Sequence, residues 1–491
     1  CFAFAFFDHQ EKRLVLARDR FGIKPLYFSN SQSQICFSSE FRSLLQLIDT
    51  PVHSSLALSA LIQYSFVPGP MSYAQGVQKL LPGHVAVVEG NRFSIRRWYK
   101  PSDTTKTQGK SLLDLLSDSV QKRLVSDVPV ATFLSGGVDS SAITALAHNH
   151  DQNIKAYSVG FEQGYLDESK WARMAAKHIG CELELITFAE DDVLERFPRF
   201  IQSLDEPFGD SSALAMFLLA EHASQDVKVC LSGDGADELF GGYRRHRAFW
   251  KAKNQEWQVS AARVLAPFSS RVKGGRERKV ADIGRKLSKL GSLHGLSNQQ
   301  IYVRLTEFTS SQHLEQIGLI PFDIPEYTWQ ENDLVNEYLL QDQQFILPND
   351  MLAKVDTMSM AHGLEVRVPF LDHRLVEWAN SQESKQKVNR RGGKLILKQA
   401  LSELLPQEIL NRPKRGFEIP VESWLKGPLR SNVLEAISKE HATNIGAEKA
   451  ALVTKWKEFE AGNGNLASMF WTLLMLHEWK KVNPLCVHPI P

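Results

Sequence analysis

The stretch from Val128 to Ile143, Val-Pro-Val-Ala-Thr-Phe-Leu-Ser-Gly-Gly-Val-Asp-Ser-Ser-Ala-Ile, constrains this chain more than any other. Val128 to Leu134 are mostly apolar and partly β-branched, which is the composition of a parallel strand covered on both faces. Gly136 and Gly137 carry no Cβ, so the backbone there can approach a ligand closely and take positive φ. Ser140 and Ser141 stand where a helix starts, and the free N–H groups of such a start suit phosphate oxygens. The helix terminus alone contributes about 0.3–1 kcal/mol when exposed and ~2 kcal/mol in a favourable setting, too little to hold a polyphosphate. Asp139 offers the missing help as a ligand for Mg²⁺, a hard cation that bridges carboxylates and phosphates.

No lysine follows Gly137, so the stretch is not the G-x-x-x-x-G-K-[ST] loop. Ser135-Gly136-Gly137-Val138-Asp139-Ser140-Ser141 instead resembles the pyrophosphate loop of the ATP pyrophosphatases, which split ATP between the α- and β-phosphates to make adenylates. The loop by itself does not choose a substrate.

The chain is 491 residues long, enough for two or three domains with their own cores. A net charge of +1 gives no global pull toward nucleic acid or anionic membrane, so neither is expected as a partner. The local exception is a basic run (Lys273, Arg276, Arg278, Lys279, Arg285, Lys286, Lys289), read as a solvated helical face. The cysteines Cys1, Cys36, Cys181, Cys230 and Cys486 show no C-x-x-C spacing, which fits reduced thiols in a cytoplasmic protein. No apolar run approaches the ~18 residues of a membrane span.

Residues 1–99 read as antiparallel β: Phe2–Phe7, Arg13–Arg18 and Gln34–Ser39 are short runs separated by turn residues. Residues 101–110 are polar and form a linker; apolar residues then recur at helical spacing between Ser111 and Ser126. After the opening strand and loop, the pattern alternates: helix Ala142–Asn149, strand Ile154–Phe161, helix Asp167–Ile179, strand Glu182–Phe188, helices Asp191–Ser203 and Ala213–Ala223, strand Val227–Leu231. This pace predicts an α/β fold with a doubly wound parallel sheet and a ligand outside the carboxyl ends of its strands. Beyond Phe240 the pattern is helical almost throughout, an α-rich C-terminal extension.

A second strand–turn–helix string is Val227-Lys-Val-Cys-Leu-Ser-Gly-Asp-Gly-Ala-Asp-Glu-Leu-Phe-Gly-Gly-Tyr243. Asp234, Asp237 and Glu238 crowd one strand end, where a cation or an ammonium would offset their repulsion. Together with the first loop, the string resembles the second signature of the asparagine synthetases and their β-lactam synthetase relatives. Ala361-His-Gly-Leu-Glu-Val-Arg-Val-Pro-Phe-Leu-Asp372 is similar to a third signature, and Lys394-Leu-Ile-Leu-Lys398 followed by Arg412-Pro-Lys-Arg-Gly-Phe417 to a fourth. The resemblance implies that Ser135, Gly136, Gly137, Ser140 and Ser141 cradle the pyrophosphate of ATP. It implies that backbone near Phe133 and Val159, with Ser232 and Gly233, holds the adenosine, and that Asp139 and Asp237 ligate Mg²⁺. Lys394 would neutralise charge growing at the α-phosphate, with Lys398, one turn later, as the competing candidate. Asp234 stands where dedicated asparagine synthetases usually carry glutamate; it would contact the adenylate or take a proton from attacking ammonia. Leu204-Asp-Glu-Pro-Phe-Gly-Asp-Ser-Ser212 suits either acceptor binding or capping of the next helix by Asp210 or Ser211. His178, His362, Phe470, Trp471 and Trp479 read as packing residues.

Arg18-Asp-Arg-Phe-Gly-Ile-Lys-Pro-Leu-Tyr-Phe28, with Val67-Pro-Gly-Pro70 and Lys79-Leu-Leu-Pro-Gly-His84, resembles the later half of the glutaminase domain of the same enzymes, an N-terminal-nucleophile (Ntn) fold. Cys1 is followed by Phe-Ala-Phe-Ala-Phe, which matches an internal strand of that domain, so Cys1 is not expected to be its nucleophile. Residues 1–100 therefore read as a partial Ntn β-sandwich lacking the nucleophile segment, in an N-terminally shortened chain, and residues 111–485 as the ATP-pyrophosphatase domain. The resemblance implies an ATP-dependent ligase that adenylates aspartate and transfers ammonia, normally from glutamine, to give asparagine. A different acceptor carboxylate and an inactive regulatory homologue are the rival readings. The expected partners are small molecules, with a homodimer left open. The whole reading requires Asp139 and Asp237 to lie within about 10 Å, the reach of one ion cluster with its ~2 Å oxygen bonds.

Overall fold

Short β-branched and aromatic runs between turn residues cannot bury both faces alone, so they pair. In the computed structural model, which describes residues 1–31, 34–48, 52–102, 109–161, 168–269, 287–413 and 419–483, the first hundred residues form two antiparallel sheets. Strands β1 (Ala3–Asp8), β2 (Arg13–Arg18), β3 (Tyr27–Asn30), β4 (Ile35–Ser38), β5 (Gln78–Lys79), β6 (His84–Glu89) and β7 (Arg92–Arg97) order as β1-β2-β6-β7 and β4-β3-β5. β1 is an edge strand, and its Phe4, Phe6 and Phe7 are exposed. A helix over Ser55–Tyr64, capped by the Ser54 side chain, was not anticipated. It is buried from Ala57 to Tyr64 on every side, so its polar residues Ser55, Ser59 and Gln63, spaced four apart, mark no solvent face.

The alternating region supplies β8 (Val130–Phe133), β9 (Lys155–Phe161), β10 (Glu182–Phe188) and β11 (Val229–Leu231). They are parallel and ordered β10-β9-β8-β11, with β12 (Glu365–Arg367) on the far edge. The chain steps outward from β8 to β9 to β10, then returns to the other side of β8. The order reverses between β8 and β11, and the crevice at such a switch point is where ligands bind in open α/β sheets.

Three expectations need correction. The helix after β8 spans Val138–His150, not Ala142–Asn149, with Gly137 at its N-cap; Asp139, Ser140 and Ser141 therefore lie in its first turn. The Ser140 hydroxyl donates back to the Gly137 carbonyl and leaves the helix intact. The helix read as starting at Asp167 runs over Ser169–Ile179, and Asp167 lies outside the described residues. β12 was read as part of a helical region. Its alternation (Leu364 buried, Glu365 half-buried, Val366 buried, Arg367 half-buried, Val368 buried) is the strand period, in a run too short to stand out. Most of the linker, most of the basic run, the string Lys414–Phe417 and Cys486 lie outside the described residues.

One apolar core joins the first hundred residues to the parallel sheet. Trp479 is fully buried, its indole N–H donates to the Leu204 carbonyl at 2.9 Å, and its ring lies 5.6 Å from Tyr73 and 6.4 Å from Phe41. Trp471 and Phe470 belong to the same core. Cys1, Cys36, Cys181 and Cys230 are free thiols. Among the described residues, no helix is long and apolar enough to cross a membrane.

Candidate active site

Both glycine turns leave the carboxyl ends of β8 and β11, the neighbouring strands at the switch point, so they meet. A Cβ on Gly233 would stand 2.8 Å from the Ser140 nitrogen and 2.9 Å from the Asp139 Cβ; only glycine permits this approach. The first turn is folded by its own hydroxyls. The Ser135 amide donates to Ser140 Oγ at 3.2 Å, the Gly137 amide donates to Ser135 Oγ at 3.3 Å, and the two hydroxyls lie 3.1 Å apart. Gly136 takes φ +69°. Ser141 is fully buried, its amide bonds to the Gly137 carbonyl, and its Oγ has no hydrogen-bond partner. Its backbone is thus committed to the helix, and only its hydroxyl is left for a ligand.

Phe133 and Val159 lie near the carboxyl ends of the paired strands β8 and β9, and both are buried. The acids of the second turn separate. Asp234 Oδ2 accepts from Ser232 Oγ at 2.7 Å, whereas Glu238 accepts from the Tyr243 hydroxyl at 2.7 Å. Glu238 is 1% exposed. Burial, and then the charge of Asp237, push its carboxyl up to about 7.

Asp139 and Asp237 are joined by one side chain. The Lys394 ammonium lies 2.5 Å from Asp139 Oδ2 and 2.5 Å from Asp237 Oδ1, so the two oxygens are at most twice that distance apart. Lys394 is 5% exposed and takes φ +58°, a left-handed conformation that costs a non-glycine residue energy and clusters at functional sites. Its amide donates to the Phe240 carbonyl at 2.9 Å, and a Cβ on Gly242 would collide with the side chains of both Asp237 and Lys394. The turn before Lys394 is pressed against the second glycine loop, and that contact aims the ammonium. Lys398, half-buried, follows on the same helix; burial, and then the Lys394 charge, lower its ammonium.

The acid pair fits a magnesium ion that takes most of its ligands from phosphate. Asp139 Oδ1 is buried without a hydrogen-bond partner, and among the described residues no group of three or more His, Cys, Asp or Glu could hold a metal alone. Such sites keep one or two carboxylates and leave the rest to phosphate and water.

Sequence reasoning missed a clamp on the first turn. Arg412 Nη1 donates to the Ser135 carbonyl at 2.9 Å, its other nitrogen pairs with Glu168, and its guanidinium lies 5.2 Å from the Trp171 ring centre. No local signal foretells a bond across 277 residues. The acids of Leu204–Ser212 are all engaged. Asp205 accepts the Phe41 and Arg42 amides at 2.6 and 3.0 Å, Glu206 pairs with Lys79 at 2.6 Å, and Asp210 binds the Ser212 amide at 2.9 Å and Lys354 at 2.7 Å. His178 bonds the Leu404 carbonyl and His362 packs 4.5 Å from Phe217.

The geometry therefore offers an anion-binding helix start, two acids suited to a metal and a lysine between them. Residues 111–481 match the Asparagine synthase family and residues 1–99 the Glutamine amidotransferase domain. Asparagine synthetase (glutamine-hydrolyzing) 1 of Bacillus subtilis is 29% identical over 491 residues, covering 98% of this chain and 77% of that protein. Asparagine synthetase (glutamine-hydrolyzing) 3 of the same organism is 28% identical, over 87% of this chain and 69% of that protein. Amidase chry2 of Gibberella zeae is 27% identical, over 91% and 73%. Matches of this extent, on a crevice built this way, make the chain a member of the asparagine synthase family.

Proposed function

We propose that this chain is an ATP-dependent amide ligase that adenylates the side-chain carboxylate of aspartate, releases pyrophosphate, and passes ammonia to the adenylate to give asparagine and AMP. The observation that carries this reading is the lysine shared by Asp139 and Asp237 where two glycine turns touch. Ser135, Gly136, Gly137 and Ser140, with the Ser141 hydroxyl, would hold the departing pyrophosphate at the helix start. Backbone near Phe133 and Val159, with Ser232 and Gly233, would seat the adenosine. A magnesium ion on Asp139 and Asp237 would supply charge neutralisation for the polyphosphate. Lys394 would follow the charge that builds on the α-phosphate as the carboxylate attacks, an interaction stronger in the transition state than before it. Asp234, positioned by Ser232, would accept a proton from the incoming ammonia.

In the complete reaction the ammonia would come from glutamine through the amidotransferase-type region; free ammonium substitutes in the assay. Incubation with Mg-ATP, aspartate and ammonium is expected to yield AMP, pyrophosphate and asparagine. ADP and phosphate as products would refute adenylation.

A second reading keeps the chemistry and changes the acceptor. It is favoured by Asp234, one methylene shorter than the glutamate usual in dedicated asparagine synthetases, because about an ångström matters at a reacting carbon. A pyrophosphate-exchange screen across carboxylic acids separates the two: aspartate fails to stimulate exchange under the second.

A further inference from the structure

Near Asp234 lies a charged cluster that the scheme above does not use. It is built on a single π-helical turn, Leu347–Met351, leading into the helix Leu352–Met360; such turns recur at functional sites. Asp350 comes from the π turn and Lys354 from the helix, 5% and 7% exposed. The Lys354 ammonium is 2.7 Å from Asp210 Oδ2 and 4.0 Å from Asp350 Oδ1. Asp210 is further satisfied by the amide and hydroxyl of Ser212, whereas Asp350 Oδ1 has no hydrogen-bond partner. Asp234 is near enough to favour the charged form of Lys354, and Arg245, engaged with Asp342, weakly favours the charged form of Asp350. Of Asp210, Lys354 and Asp350, Lys354 alone lines a cavity of about 50 Å³, whose other walls include Asn349, Glu206 and Lys79.

The charges do not balance if both acids ionise. Burial works against Asp210, but Lys354 and the Ser212 donors outweigh it and hold its carboxyl low. Burial, and then the adjacent Asp210, push Asp350 up to about 8. At neutral pH the cluster is therefore an ion pair beside a neutral acid, because one lysine cannot compensate two buried carboxylates. One further positive charge would let Asp350 ionise.

We infer that the Asp210–Lys354–Asp350 cluster is a site for one ammonium group, either the α-ammonium of the acceptor amino acid or the ammonium ion that supplies the amide nitrogen, with Asp350 as its acceptor. On binding, the O–H bond of Asp350 breaks and its proton leaves to solvent; no covalent bond to the ligand forms. The inference rests on the proposed reaction only for what carries the ammonium.

Two measurements on the whole chain test it. The first is calorimetry at pH 7 with L-aspartate and with ammonium chloride, in two buffers of different ionisation enthalpy. It should show about one proton released per ammonium bound, none with succinate, and none in Asp350→Asn, which binds the same ligand about tenfold more weakly. Asp350→Ser gives the same readout if the amide variant does not fold. The second separates the sources. Acceptor-stimulated pyrophosphate exchange needs no ammonia, so a KM for aspartate raised about tenfold in Asp350→Asn assigns the α-ammonium, provided succinate is unaffected. Unchanged exchange with a raised KM for ammonium in amide formation assigns the ammonium ion. Equal proton release and equal KM values in wild type and variant would overturn the inference. Absence of any aspartate-stimulated exchange in the wild type would count against the proposed reaction instead, and proton release with ammonium chloride would still decide the site.

Discussion

The two glycine turns and the segment Leu204–Ser212 are both polar stretches among the strands of one sheet, yet they are built differently. In the turns, the groups offered to a ligand are largely backbone, placed by Gly136, Gly137 and Gly233 and fastened by serines two to five residues away. In Leu204–Ser212 every acid is held by a partner far along the chain: Asp205 by the helix starting at Phe41, Glu206 by Lys79, Asp210 by Lys354. A backbone-made site can be read from a short string because its geometry is local. A side-chain site cannot, because the same acids serve as helix caps, ion pairs or ligand contacts according to what the fold brings to them.

Lys394 joins these two kinds of construction, and replacing it should have the largest effect. Lys394→Ala is expected to lower kcat for aspartate-dependent pyrophosphate exchange by about 10²–10³-fold, with a smaller change in ATP affinity. If Lys398→Ala does this and Lys394→Ala does not, the assignment by contact is wrong.

Glu238 is local in sequence but set by burial, so it tests whether the second turn is governed by its string or by its surroundings. Its folded carboxyl sits near 7, above its ordinary value of 4.5. The stabilisation from holding it protonated is complete below pH 4.5 and is lost as pH rises to about 7. The loss amounts to about 3 kcal/mol at ~1.4 kcal/mol per pH unit. Thermal melts between these limits should show Glu238→Gln gaining on the wild type as pH rises. Parallel curves would mean the carboxyl titrates normally.

Gly233→Ala puts a methyl group against the Asp139 turn. A stability loss of about 1–3 kcal/mol is expected from the forced shift, together with weaker Mg-ATP binding by calorimetry. An unchanged affinity would show that the two turns need not touch to bind nucleotide.

Asp205→Ala is the smallest change and probes the other region. Losing a cap on the Phe41 helix costs about 1 kcal/mol, read as a lower Tm. A raised KM for aspartate in this variant would return Asp205 to acceptor binding and erase part of the contrast.

The parallel sheet, its strand–helix alternation and both glycine loops were legible because each depends on periodicity or on residues within a few positions. The strand spans Glu182–Phe188 and Arg13–Arg18 agree residue for residue with their sequence reading. β12 was not legible, since three residues carry too little period, and the helix Ser55–Tyr64 hid because it is buried on every side from Ala57 onward and presents no solvent-facing polar stripe. Lys394 and Lys398 sit one helical turn apart, and motif position favoured the first. Its contact with both acids comes from a left-handed residue pressed against Gly241 and Gly242.

By itself the sequence determined the chemistry on offer: two glycine-bearing strand ends, the acids beside them and the family they resemble. The tertiary structure decided which charges are neighbours. The strand-order reversal brings Asp139 and Asp237 onto one lysine, and a π turn sets Asp350 and Lys354 against Asp210. The physical reason is range. Backbone conformation is fixed by adjacent residues, whereas the ionisation of a buried group is fixed by whatever the fold packs within a few ångströms of it.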